Sequence, residues 1–171
     1  MKHILIAGIG NIFLGDDAFG VEVVRELQRR PLPPEVRVRD FGIRGYDLAC
    51  ALADGCDTAI LVDATPRGDA PGTVYLIEPD LAHLLETDGD TLDSHGMDPV
   101  RTLQLARAFG GCPQHLYLVG CEPGELGAPD GRMGLSGTVQ SAVPRAADLI
   151  ESLVNDLLQV ETTSAVGAFP E

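Results

Sequence analysis

The chain has 171 residues, of which 44% are hydrophobic, and this suits one compact domain because most domains contain about 100 to 200 residues. Its formal net charge of -14 would repel phosphate groups, so nucleic acids and anionic membrane surfaces are poor partners. No segment has the roughly 20 consecutive apolar residues of a membrane span, and the N-terminus does not resemble a cleavable signal. We therefore predict a cytoplasmic protein without a membrane or nucleic-acid partner, and we expect a monomer.

The four cysteines lie far apart in the sequence and form no Cys-x-x-Cys pair; they are Cys50, Cys56, Cys112 and Cys121. This spacing argues against a structural zinc site and against a small disulfide framework. We expect reduced thiols, most of them buried in the core.

Apolar runs and helical spacings alternate along the chain. The first run, residues 3–7, is typical of a strand buried on both faces, and a Gly-containing loop then leads to a helix that opens at Asp16 and Asp17. The later predicted elements are a strand over 36–40, a helix over 45–53, strands over 58–62 and 72–77, a helix over 99–108, a strand over 116–120 and a closing helix over 139–157. The connection before the strand at 72–77 is too short for a helical crossover, which predicts an antiparallel orientation.

This order of elements predicts a single three-layer α/β domain of the phosphorylase/hydrolase-like type. Its twisted sheet should be mostly parallel, with about five strands, one of them antiparallel, flanked by helices. We place the domain at residues 1–160 and a flexible C-terminal tail at 161–171. Ligands of such sheets bind beyond the carboxyl ends of the strands, so the loops after Gly8, Asp63 and Cys121 should share one edge.

Acidic and imidazole side chains follow several of the predicted strands. Asp16 and Asp17 follow the first strand, Asp63 ends the third, and His95 lies in a polar loop before a helix. Carboxylates together with one imidazole suit a divalent metal such as zinc or nickel, and three protein ligands leave positions for a water or a carbonyl, which favours hydrolysis. Each residue also has an ordinary explanation as a helix cap, a partner of the helix dipole, a turn former or a solvated loop residue.

Two other classes of site share parts of this pattern. Gly8-Ile9-Gly10-Asn11 after the first strand is similar to a dinucleotide-binding loop, with Asp40 as the ribose acid, but Phe13 stands at the third glycine position and the aspartate pair would oppose a pyrophosphate. A phosphoacceptor receiver domain needs a lysine after a later strand, whereas Lys2 is the only lysine. No Gly-x-Ser-x-Gly elbow is present, so a metal or a carboxylate must polarise the attacking water.

The segment from Gly8 to Gly20, with a Gly-Asn loop leading into an acidic pair and a helix, resembles the opening motif of the hydrogenase maturation endopeptidases. The likeness reaches to about Leu158 and includes Asp63-Ala64, Pro71-Gly72-Thr73, Ser94-His95, Leu118-Val119-Gly120 and Gly134-Leu135-Ser136. The resemblance implies a protease that removes the C-terminal extension from the nickel-loaded precursor of a nickel-iron hydrogenase large subunit. That precursor would be the partner and would supply the nickel, and no organic cofactor would be tightly bound.

The resemblance also implies that Asp17, Asp63 and His95 are both the nickel ligands and the catalytic residues of an aspartyl-type protease. Candidates for contacts with the substrate tail are Asp16, Asp40, Gly42 and Arg44. Position 17 holds Asp where several relatives have Glu, and residues 40–45 replace a Gly-Gly-Thr type of loop. The alternatives that we retain are a nucleotide-binding α/β enzyme and a non-catalytic chaperone of metal sites.

Overall fold

The computed structural model describes residues 2–86, 97–127 and 131–165. Its strands are β1 (Ile4–Ile9), β2 (Val36–Gly42), β3 (Thr58–Ala64), β4 (Val74–Ile77) and β5 (His115–Cys121). Its helices are α1 (Phe19–Leu27), α2 (Gly45–Ala53), α3 (Leu81–Glu86), α4 (Pro99–Ala108) and α5 (Gly137–Ala165). A 3-10 turn over Asp16–Ala18 leads directly into α1.

The strands form one sheet in the order β2-β1-β3-β5-β4. The first four are parallel, and β4 runs antiparallel to β5, with Val74 opposite Cys121. This confirms the mostly parallel sheet with one antiparallel strand, and it places the carboxyl ends of β1, β3 and β5 at one edge as predicted. Because the chain passes from β1 to β2 on one side and then to β3 on the other, the ends of β1 and β3 form a topological switch point.

Helices cover both faces of the sheet. Helices α1 and α5 pack on one face, where Ile4 and Ile6 of β1 point, whereas α2, α3 and α4 pack on the face that receives Leu5 and Ala7. Strand β1 is therefore buried on both faces, as its continuous apolar run predicts. The three-layer α/β architecture is confirmed.

Three elements differ from the sequence prediction. Helix α3 was not predicted, because its short sequence has only a weak helical spacing of apolar residues. None of its six residues is fully buried. The first helix opens as a 3-10 turn and becomes α-helical at Phe19. Helix α5 continues to Ala165, past the domain boundary predicted at residue 160, and residues 166–171 of the predicted tail lie outside the described residues. Across the described ranges no helix has the length and apolarity needed to cross a membrane.

Helix α4 begins at the cap that the sequence predicts. Asp98 Oδ1 accepts hydrogen bonds from Val100 N at 2.9 Å and Arg101 N at 3.4 Å, and Pro99 occupies the first helical position. We expect Asp98→Ala to lower the free energy of unfolding by about 1 kcal/mol, measured by urea denaturation, because two terminal N–H groups lose their acceptor. Asp98→Asn keeps an acceptor and is the control; an equal loss in both variants would assign the effect to charge and not to the cap.

Candidate functional site

Two glycines bring the 3-10 turn against the switch point. A Cβ on Gly10, which has φ 142°, would lie 1.8 Å from Asp17 O, and a Cβ on Gly20 would lie 2.0 Å from Val62 O. Glycine is therefore needed at both positions for the backbones to approach this closely. The contacts place Asp17, at the centre of the turn, beside the end of β3, which carries Asp63.

The carboxylate of Asp17 is oriented by the loop that follows β1. Its Oδ2 accepts the Asn11 N–H at 2.8 Å, and Asn11 Oδ1 in turn accepts the Phe13 N–H at 2.9 Å. A carboxylate of the protein thus binds an amide that the dinucleotide alternative would assign to a pyrophosphate. The antiparallel β4 likewise differs from the all-parallel sheet of the receiver alternative.

Asp63 lies beside Asp17 and is costly to ionise. Burial and the nearby carboxylate of Asp17 raise the pKa of Asp63 well above its usual range, and the hydrogen bond from Ala64 N to its Oδ1, at 2.8 Å, only partly offsets them. A divalent cation that binds both carboxylates would relieve this repulsion. The structure therefore brings two mutually repelling carboxyl groups together at the switch point.

The third predicted ligand, His95, lies outside the described residues, as does Ser94. Within the described residues, no group of three or more His, Cys, Asp or Glu side chains could hold a metal ion. The described chain resumes at Met97, whose Cγ would lie 3.3 Å from a Cβ on Gly45. Because Gly45 begins the helix that follows β2, Met97 lies at the same edge of the sheet as the aspartate pair.

Asp16 is held by partners from other parts of the chain. Its side chain is 0% exposed, and both carboxylate oxygens accept hydrogen bonds from Gly124, Glu125 and Ser136. Burial opposes ionisation of Asp16, but these hydrogen bonds outweigh it and hold the pKa of the carboxyl below its usual value. The predicted contact between Asp16 and a substrate tail is therefore not favoured, since no part of its side chain reaches the surface.

The other predicted substrate contacts lie at the end of β2, next to β1. Gly42 has φ 55°, a conformation that favours glycine, and its carbonyl accepts Gly10 N at 3.0 Å. The Arg44 side chain is 60% exposed, and its guanidinium donates to the carbonyls of Asp40 and Phe41. Asp40, Gly42 and Arg44 lie at the same edge of the sheet as Asp17. Contact between these residues and a substrate stays a prediction.

Glu122, which directly follows β5, is not among the residues that the sequence predicts for the site. Its side chain is 6% exposed and accepts Arg67 N at 2.7 Å, Gly68 N at 3.2 Å and Tyr75 Oη at 2.8 Å. Burial opposes ionisation of Glu122, but the hydrogen bonds from Arg67, Tyr75 and Gly68 lower its pKa. An acid immediately after a buried strand is the available sequence signal, and its role here is to hold the loop that follows Asp63.

We expect Glu122→Gln to loosen the loop behind Asp63, because the amide group would set a donor against the Arg67 or Gly68 N–H. Trypsin should then cut after Arg67 at least about fivefold faster than in the wild type, as followed by mass spectrometry. Asp69→Asn is the control, since it changes another carboxyl group near Tyr75 Oη, at 2.8 Å from Asp69 Oδ2, and leaves Glu122 in place. Equal cutting in Glu122→Gln and the wild type would show that Glu122 does not hold the loop.

A model of the hydrogenase maturation protease family matches residues 21–153. The chain belongs to the hydrogenase maturation protease family. The hydrogenase 2 maturation protease of Escherichia coli is 31% identical over 170 residues, which cover 98% of this chain and 96% of that protein. This membership confirms the resemblance drawn from the sequence. Because proteases are hydrolases, it also weighs against the chaperone and nucleotide alternatives.

Solved structures of the family share the fold described above. The hydrogenase maturating endopeptidase HybD from Escherichia coli has a TM-score of 0.73 at 29% identity, and the alignment covers 91% of this chain and 93% of HybD. The NiFe hydrogenase maturation protease HycI from Thermococcus kodakarensis has a TM-score of 0.72 at 28% identity, and the alignment covers 90% of this chain and 93% of HycI. The predicted fold class is thereby confirmed by comparison as well as by topology.

Proposed function

We propose that this chain is an endopeptidase that removes the C-terminal extension from the nickel-loaded precursor of a nickel-iron hydrogenase large subunit. The observation that carries the proposal is the pairing of Asp17 and Asp63 at the switch point of a protease-family fold. Within the described residues neither carboxyl group has an ion-pair partner, so both are available to a ligand. The names of the Escherichia coli and Thermococcus kodakarensis relatives support the substrate class.

The nickel would arrive as part of the precursor. Asp17, Asp63 and His95 would complete its coordination, and the positive ion would offset the repulsion that raises the pKa of Asp63. Coordination would hold the enzyme next to the peptide bond that is cut, so recognition would depend on metal loading more than on the sequence of the tail. A precursor without nickel would leave the two carboxylates uncompensated and would bind poorly.

The test mixes the purified protein with nickel-loaded and nickel-free forms of one large-subunit precursor and weighs the products by intact-mass spectrometry. Loss of a C-terminal peptide from the loaded form alone is the expected result. Equal cutting of both forms would overturn the role of nickel, whereas an uncut loaded precursor would overturn the proposed activity on that substrate.

His95→Ala should abolish cutting of the loaded precursor, because the only nitrogen donor of the proposed ligand set is removed. His83→Ala is the matched control, since His83 lies in α3 and is not part of the proposed ligand set, and it should leave the rate unchanged. Full activity of His95→Ala in the same mass assay would remove that residue from the mechanism.

A further inference from the structure

Asp16 connects the 3-10 turn to two distant parts of the chain. Its Oδ2 accepts Gly124 N at 2.8 Å, Glu125 N at 2.8 Å and Ser136 Oγ at 2.9 Å, and its Oδ1 accepts Ser136 N at 2.7 Å. The backbone adds a bond from Asp16 N to Glu125 O at 3.0 Å. One buried side chain therefore joins the loop after β1, the loop after β5 and the start of α5.

We propose that Asp16 is a positioning residue for Asp17, a role that rests on the proposed function of Asp17 as a ligand. The two residues are adjacent in a single 3-10 turn, so a displacement of Asp16 moves the Cα of Asp17. Asp16 fixes the turn from the side of β5, while Asn11 N holds the Asp17 carboxylate from the side of β1. The carboxylate of Asp17 thereby has a fixed direction before any substrate arrives.

The role requires a carboxylate and not merely a polar side chain of the same size. All four donors around Asp16 are N–H or O–H groups, and an ionised carboxyl offers acceptors on both oxygens. In Asp16→Asn the amide nitrogen must face either Ser136 N or the pair Gly124 N and Glu125 N, so at least one buried N–H meets another donor. The turn must shift to separate them.

The first test needs no substrate and follows amide hydrogen exchange by NMR. In Asp16→Asn the protection of the Asn11 amide should fall by about tenfold or more, because its acceptor on Asp17 moves, while the Ile60 amide inside β3 keeps its protection. Asp57→Asn is the control, since Asp57 also accepts a backbone N–H, from His3 at 2.7 Å, but lies before β3 at the opposite edge of the sheet. Asn11 protection within twofold of the wild type would overturn the proposal.

The second test measures processing of the loaded precursor at a temperature where circular dichroism shows both proteins folded. Asp16→Asn should lower kcat/KM by about tenfold or more, because a misdirected ligand weakens the coordination that would hold the enzyme at the peptide bond. An unchanged kcat/KM would overturn the proposal. If Asp16→Asn does not fold, Ser136→Ala, which removes the hydroxyl donor and keeps the Asp16 carboxylate, should lower both Asn11 protection and kcat/KM, and no effect on either would count against the role.

The two tests separate the possible failures. A wild-type protein that cuts no precursor would overturn the proposed function, yet the exchange experiment would still decide whether Asp16 positions Asp17. Normal processing by the wild type with unaltered Asn11 protection in Asp16→Asn would instead overturn the positioning role alone.

Discussion

Asp63→Asn should abolish processing and leave the folded protein at least as stable as the wild type. The substitution removes a proposed ligand, for which we expect a loss of roughly a thousandfold or more in the rate of precursor cutting. It also removes a charge that burial and Asp17 make unfavourable, since both raise the pKa of Asp63. Activity and stability should therefore change in opposite directions, measured by the mass assay and by thermal unfolding without metal.

The pH dependence of this effect follows from the direction of the shift. Because the pKa of Asp63 is raised in the folded protein, the folded state keeps a proton that the unfolded chain loses above about pH 4. The wild type should lose stability relative to Asp63→Asn as the pH rises from there through the raised pKa. A Tm for Asp63→Asn below that of the wild type at pH 7 would contradict this account, and normal processing would remove Asp63 from the site.

Gly20→Ala should destabilise the fold by about 3 kcal/mol, because a methyl group here overpacks a closely packed contact. The added Cβ would lie 2.0 Å from Val62 O, 2.4 Å from Ile9 O and 2.8 Å from Ile9 N, all of them backbone atoms of β3 and β1. No side chain can move to make room, so the start of α1 must shift away from the sheet. Urea denaturation measures the loss of stability.

The same shift should carry Asp17 away from Asp63, so the folded fraction of Gly20→Ala should process the precursor more slowly than the wild type. Gly137→Ala is the matched control, since a Cβ at the start of α5 would meet no atom within 4 Å beyond its neighbours in the chain and alanine favours helix. Unfolding free energies of Gly20→Ala and the wild type that agree within about 1 kcal/mol would show that this helix and the sheet can separate at little cost.

Local signals in the sequence predicted much of the fold. Helix α4 was predicted with its observed bounds because Asp98 and Pro99 mark its start and Gly110-Gly111 marks its end. The bounds of α2, Gly45–Ala53, were also predicted correctly. Alternating elements indicated the three layers, and a short connection indicated the orientation of β4, although the residue spacing alone could not name β5 as its partner.

Contacts between distant residues could not be predicted in this way. Asp16 meets Ser136 across 120 positions, and Glu122 meets Arg67 across 55, so no local pattern pairs them. Asp16 and Asp17 both follow β1, and the residue pattern left open which of them would be the metal ligand. The resemblance assigned Asp17, and this assignment stays a prediction; the structure adds that Asp16 is fully buried.

The close approach at Gly10 and Gly20 has a consequence for divergence within the family. Main-chain atoms set the separation of the 3-10 turn and β3, so replacement of core side chains such as Val23 or Ile60 changes stability more than it changes that separation. Homologues can therefore exchange most of their interior while keeping the same separation of the 3-10 turn and β3. The HybD structure from Escherichia coli is an example, since it keeps the fold with a TM-score of 0.73 at 29% sequence identity.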